Sequence, residues 1–127
     1  MKECAPILIV DDNEDVREMF AFTLESNGYE VVCASDGGKA LEMLRTGLRP
    51  CVIVLDLYMP GLDGFEFRAE QSADPALATI PTIIISGAFN ATRAGAALDA
   101  AAAFRKPVDL DAMVAAIERF SQRGHDA

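Results

Sequence analysis

Positive charge is scarce in this sequence: 11 lysines and arginines stand against 20 aspartates and glutamates, a formal net charge of -9. A field of that sign disfavours nucleic acid and anionic membrane surfaces as partners, and no basic arm or tail counters it. Cysteine is scarce as well. Cys4, Cys33 and Cys51 are odd in number and lack metal-ligand spacing. Cys33 and Cys51 lie inside apolar runs and are expected to be small buried hydrophobes, in keeping with a reducing compartment. No apolar stretch approaches the ~18 residues of a membrane span, and no charged-then-apolar leader opens the sequence. The single histidine, His125, lies in a polar tail and reads as exposed and inert. Together these features lead to the expectation of a cytoplasmic protein with no membrane or nucleic-acid partner.

What the sequence does have is a rhythm. At 127 residues it is long enough for one domain with a real core, and half of it is apolar. Ile7-Leu8-Ile9-Val10 runs into Asp11-Asp12, Cys51-Val52-Ile53-Val54-Leu55 into Asp56, and Ile83-Ile84-Ile85 into Ser86. A shorter segment, Ala101 to Phe104, ends in Arg105-Lys106-Pro107. Short continuous apolar runs read as strands buried on both faces of a parallel sheet. A further strand is expected over Tyr29 to Ala34.

Helical patterns fill the gaps. Asn13 or a neighbouring Asp can cap a helix with Val16, Met19, Phe20, Thr23 and Leu24 inward, stopped at Asn27-Gly28. A second has Ala40, Leu41, Leu44 and Leu48 inward and closes at Gly47 and Pro50. A third runs from about Phe65 to Ser72, after the turn-rich Met59-Pro60-Gly61-Leu62-Asp63-Gly64, with Asp63-Gly64 as turn and helix start; Asp74-Pro75 breaks it. Phe89 to Ala97 is a weakly amphipathic helix. Asp109 caps the last, with Leu110, Met113, Val114, Ile117 and Phe120 on one face. A βα unit repeated five times implies an open parallel sheet with helices on both faces.

In such sheets ligands bind beyond the carboxyl ends of the strands, where strand order reverses. Asp11, Asp12 and Asp56 would form an oxygen-rich, negative pocket there. Clustered carboxylates raise one another's pKa unless a cation joins them, and Mg²⁺ suits a few carboxylates plus a phosphate. Lys106 is a point charge for a phosphoryl oxygen or a neighbouring carboxylate, and Ser86 offers a hydroxyl. A carboxylate beside a metal and an ammonium is a plausible nucleophile toward phosphorus. Each signal alone has a plainer meaning: a solvated turn, a helix cap, a surface lysine before a proline. Only the combination, at strand ends and in this order, is specific.

That combination resembles the receiver domain of two-component response regulators across Ile7 to Phe120. The resemblance is carried by Ile7-Leu8-Ile9-Val10-Asp11-Asp12-Asn13, Asp56-Leu57-Tyr58-Met59-Pro60-Gly61-Leu62-Asp63-Gly64, Ile85-Ser86-Gly87 and Lys106-Pro107. It implies a flavodoxin-like (βα)5 fold with strand order 2-1-3-4-5. It implies Asp56 as phosphoacceptor for a sensor histidine kinase or histidine phosphotransfer protein in a phosphorelay. Mg²⁺, with Mn²⁺ as substitute, would be held by Asp11, Asp12, Asp56 and the backbone carbonyl of Tyr58. Ser86, Gly87 and Lys106 would bind the phosphate and switch, with Pro60 and Pro107 structural at the site and the Lys106-Pro107 bond cis. Such a domain is a signalling module rather than a dedicated enzyme. Its downstream target would dock on the face of the fourth helix, fifth strand and fifth helix.

Two departures from the family pattern stand out. The switch aromatic usually lies three residues before the lysine, where this sequence has Ala103; Phe104 follows it, and one residue's shift in a strand reverses the face. Phe89 is a candidate replacement. Second, Tyr58 and Phe89 sit at rim positions, where bulky rings are expected to shield the acyl phosphate from water. A haloacid-dehalogenase-type phosphatase would need a second Asp where Tyr58 stands. A flavin-binding flavodoxin would need a Ser/Thr/Gly-rich loop in place of Asp11 to Asp15. The start Met1-Lys2-Glu3 and the polar tail 122–127 lead to the expectation of a stand-alone single domain over 1–127, core about 6–121, rather than a fragment of a larger regulator or hybrid kinase. A phosphate shuttle or sink is the alternative role.

Overall fold

The computed structural model describes residues 6–87, 93 and 98–125. Along the chain these form β1 (Ile7–Val10), α1 (Glu14–Ser26), β2 (Val31–Ala34), α2 (Gly37–Arg45), β3 (Val52–Asp56), α3 (Gly64–Ala73), β4 (Thr82–Ser86), β5 (Ala102–Arg105) and α4 (Leu110–His125). Of the helix expected over 89–97 all but residue 93, and with it Phe89, lies outside the described residues, as does Cys4.

All strand pairs are parallel, and the order is β2-β1-β3-β4-β5. Alternate side chains of each strand enter different cores. Leu8, Val10, Ile53, Leu55 and Ile84 pack on one face with Ala40, Leu41 and Leu44 of α2 and Phe67 of α3. Ile7, Ile9, Val52, Val54, Ile83 and Ile85 pack on the other with Phe20 and Leu24 of α1 and Met113 and Ile117 of α4. This double coverage is why the central strands read as unbroken apolar runs. Each fully buried Ile or Leu contributes roughly 1.5–3 kcal/mol of transfer free energy. The fold is the flavodoxin-like doubly wound sheet that the resemblance implies.

The edges of the sheet depart from expectation. β2 covers only the last four residues of the Tyr29–Ala34 run, and Cys33 on it is exposed rather than buried. An edge strand has a neighbour on one side only, so apolar composition there does not guarantee burial. The residues of β5, at the other edge, are partly covered, with Arg105 exposed. Met19, expected on the inward face of α1, is 44% exposed, because Phe20 and Leu24 make the helix's buried contact with the sheet.

Helix starts follow local chemistry. Asn13 caps α1 by accepting from the Val16 N–H, and Asp36 caps α2 through Lys39 N–H. Asp63 and Glu66 form a reciprocal capping box at α3. Asp109 accepts from Ala112 N–H at the start of α4. No helix among the described residues is long and apolar enough to cross a membrane.

Candidate functional site

Strand order reverses between β1 and β3, and there the two strand ends deliver their acids side by side. Val10 pairs with Leu55, so Asp11 and Asp56 leave the sheet in the same row. Carboxylate oxygens of Asp11, Asp12 and Asp56 lie within 4.8 Å of one another, with Asp11 and Asp56 buried and Asp12 exposed. Ser86, fully buried, ends β4, and its carbonyl accepts from the Lys106 N–H at 2.9 Å. That bond sets Lys106 just past the end of β5. The Lys106-Pro107 peptide is cis.

The Lys106 ammonium spans the acids: Nζ is 3.1 Å from Asp11 Oδ2 and 3.6 Å from Asp56 Oδ2. Asp11 is held from two further sides. Its Oδ1 accepts from the Asn13 N–H at 2.9 Å, and its carbonyl accepts from Arg17 Nη1 at 2.7 Å. Asp56 accepts from the backbone N–H of Tyr58. Burial pushes the Asp56 carboxyl up to about 6, Asp11 and Asp12 push the same way, and Lys106 and the Tyr58 N–H oppose them.

The loop after Asp56 is held by close packing at two glycines. A Cβ at Gly64 would stand 2.6 Å from both Asp56 O and Leu57 Cα, and one at Gly37 would stand 2.5 Å from Leu62 O. Gly64 N–H donates to Leu57 O at 2.9 Å, and Gly61 takes φ +77 at the turn. The Tyr58 side chain lies at the rim, 51% exposed, edge-on to the Phe65 ring at 5.6 Å. Met59 is buried, while Pro60 and Gly87 are exposed.

The structure therefore brings together Asp11, Asp12, Asp56 and Lys106, and places Ser86 one row beyond Asp56 on the adjacent strand. Three carboxylates facing one ammonium leave a net negative site of hard oxygen donors, which fits a divalent cation such as Mg²⁺. Ala103 and Phe104 pack against opposite cores: Ala103 on the α2/α3 side and Phe104 on the α1/α4 side. Phe104 is thus partly buried against that core, facing away from the side of Ala103. Sequence reasoning missed Arg17, Asn13 N–H and the glycine contacts. An arginine one turn into a helix carries no signal of a bond back to a strand end.

Fold and site define a flavodoxin-like α/β domain with an ammonium-bridged carboxylate cluster at its switch point. The chain belongs to the response regulator receiver domain family, whose model matches residues 7–118. It is 38% identical over 120 residues to the response regulator MprA of Mycobacterium ulcerans (strain Agy99), covering 92% of this chain and 50% of that one. The chain spans about half the length of the curated relatives it matches. Among solved structures, a putative response regulator from Chloroflexus aurantiacus J-10-fl superposes with TM-score 0.87 at 29% identity, covering 94% of this chain and 99% of that one. Vibrio cholerae chemotaxis protein CheY4 gives TM-score 0.81 at 29% identity, covering 92% and 98%.

Proposed function

We propose that this receiver domain is the phosphoacceptor of a two-component phosphorelay, with Asp56 taking a phosphoryl group from the phosphohistidine of a sensor histidine kinase or a histidine phosphotransfer protein. An Asp56 carboxylate oxygen bonds to phosphorus while the phosphorus–nitrogen bond breaks. The electron pair leaves on the imidazole nitrogen, which takes up a proton. The observation that carries this reading is the Lys106 ammonium at 3.1 Å from Asp11 and 3.6 Å from Asp56, inside a cluster of three carboxylates.

Each residue then has a separate task. Asp11, Asp12 and Asp56, with the Tyr58 carbonyl, would hold Mg²⁺ or Mn²⁺, which when bound supplies positive charge at the phosphoryl oxygens. Lys106 stabilises those oxygens as a point charge. The Ser86 hydroxyl and Gly87, which follows it, engage the phosphoryl group and act as the switch between the unphosphorylated and phosphorylated forms. Pro60 and Pro107 shape the two loops that flank the acids. The domain signals from the cytoplasm by protein contact, and its own charge of -9 argues against nucleic acid on this surface.

The half-length coverage of the curated relatives favours a second reading of context, in which this receiver is one module of a longer regulator. An immunoblot of the native source separates the two: a band near the 13.6 kDa of this chain supports a stand-alone protein, and a much larger one the module.

Incubation with a small phosphodonor and Mg²⁺ tests the acceptor assignment. The expected intact mass rises by one phosphoryl group in wild type and stays unchanged in Asp56→Asn or with chelator. Equal labelling of Asp56→Asn would overturn it.

A further inference from the structure

At the end of the sheet opposite the acids, where β4 and β5 begin, α3 carries two buried polar residues one turn apart, Arg68 and Gln71. Gln71 is saturated: its Nε2 donates to Leu77 O at 3.0 Å and Ile80 O at 3.2 Å, and its Oε1 accepts from Arg68 Nη1 and from the Thr82 hydroxyl, each at 3.1 Å. Arg68, only 7% exposed, is not. Its Nη1 also donates to Ser72 Oγ at 3.2 Å and its Nη2 to Asp99 O at 3.1 Å, while its buried Nε has no partner among the described residues. Every acceptor it meets is neutral. No carboxylate pairs with it within 4.0 Å among the described residues. Burial pushes the guanidinium pKa down, and the nearby Asp99 charge opposes that. A desolvated guanidinium with no ion-pair partner is costly unless an anion approaches its charge.

Arg68 lines a cavity of about 740 Å³ together with Thr79, Thr82, Asp99, Arg119 and Phe120. The Arg119 guanidinium carbon lies 5.3 Å from the centroid of the Phe120 ring. Two cations and one carboxylate leave the lining one charge positive, on a chain whose total is -9. Apolar residues, Ile80 among them, complete the wall.

We propose that this cavity binds a small carboxylate carrying a compact apolar group, with Arg68 and Arg119 as the cationic partners and Phe120 against the apolar part. One negative charge matches the surplus, and planar guanidinium forks suit a carboxylate. The site is separate from the carboxylate cluster and independent of the phosphoacceptor reading.

Titrating ¹⁵N-labelled protein with benzoate, and with benzyl alcohol as its uncharged counterpart, tests the site by NMR. Benzoate is expected to give saturable shifts at the amides of Thr79, Thr82, Ala100 and Ala101, unchanged in Asp56→Asn. Loss of a charge-assisted bond should weaken binding roughly tenfold in Arg68→Met. Arg119→Gln, a change at an exposed side chain, should weaken it severalfold and keeps the test sound where Arg68→Met fails to fold. Asp99→Asn should tighten binding by removing the competing charge. Absent or non-saturating shifts, equal shifts with benzyl alcohol, or unchanged affinity in Arg119→Gln would each overturn the proposal.

Discussion

The Lys106 ammonium meets the Asp11 carboxylate at 3.1 Å although 95 residues of chain separate them. Both lie just past strand ends, so the sheet itself fixes their approach. Without Lys106, three carboxylates would face one another with no lysine between them. Lys106→Met is expected to destabilise the metal-free protein by about 1–2 kcal/mol near neutral pH, since Lys106 is partly exposed and its pairing is screened. It should also tighten Mg²⁺ binding by removing a competing cation. Urea unfolding in chelator and a Mg²⁺ titration check both; unchanged stability and affinity would remove Lys106 from the cluster's electrostatics.

Asp56 carries a pH signature in the metal-free protein. Its folded pKa, about 6, lies above the ordinary 3.8, so the folded state binds its proton more tightly than the unfolded state does. The stability this group contributes is full below about 3.8 and is lost as pH rises through about 6. Asp56→Asn removes that penalty. In chelator it should therefore be more stable than wild type by on the order of 1–2 kcal/mol above pH 7, with the gain gone by about pH 4. A gain that persists unchanged into acid would refute an ionisation origin.

Gly64→Ala tests the packing beneath the acceptor. Its Cβ would stand 2.6 Å from Asp56 O and Leu57 Cα, backbone atoms that cannot swing aside. A loss of about 2–3 kcal/mol is expected, together with slower phosphorylation, because relief of the clash moves the Asp56 backbone. Thermal unfolding and the phosphodonor assay measure the two effects.

Tyr58 stands at the rim with its ring edge-on to Phe65. Tyr58→Asn is expected to speed hydrolysis of the acyl phosphate severalfold, since a small polar side chain admits and orients water where a ring excludes it. Decay of the phosphorylated protein, followed by intact mass, gives the comparison. A wild-type decay no slower than the variant's would dismiss the shielding role.

The central strands were legible because Ile7 to Val10, Val52 to Leu55 and Ile83 to Ile85 feed two cores at once, which leaves no polar face to blur the pattern. The acids that end the first two, Asp11 and Asp56, were legible for the same reason: a charged residue ends such a run abruptly. The edges were less so. Cys33 and the residues of β5 share the apolar composition of the centre, but burial there depends on neighbours that the strand itself cannot specify. The displacement of Phe104 was readable from the two-residue period of a strand, and the structure packs it against the α1/α4 core. The anchors of Asp11 were not readable, since Arg17 reaches back from α1 to a backbone carbonyl. Nor was the Arg68–Gln71–Thr82 network, whose members in sequence resemble ordinary surface positions of a helix and a strand start.

Reduction with borohydride locates an acyl phosphate directly, because it converts a phosphorylated aspartate to homoserine. After phosphotransfer from a histidine kinase in Mg²⁺, peptide mass spectrometry should find homoserine at position 56 alone, and none in protein kept in chelator. Homoserine at position 11 or 12, or phosphorylated protein with Asp56 unmodified, would contradict the account.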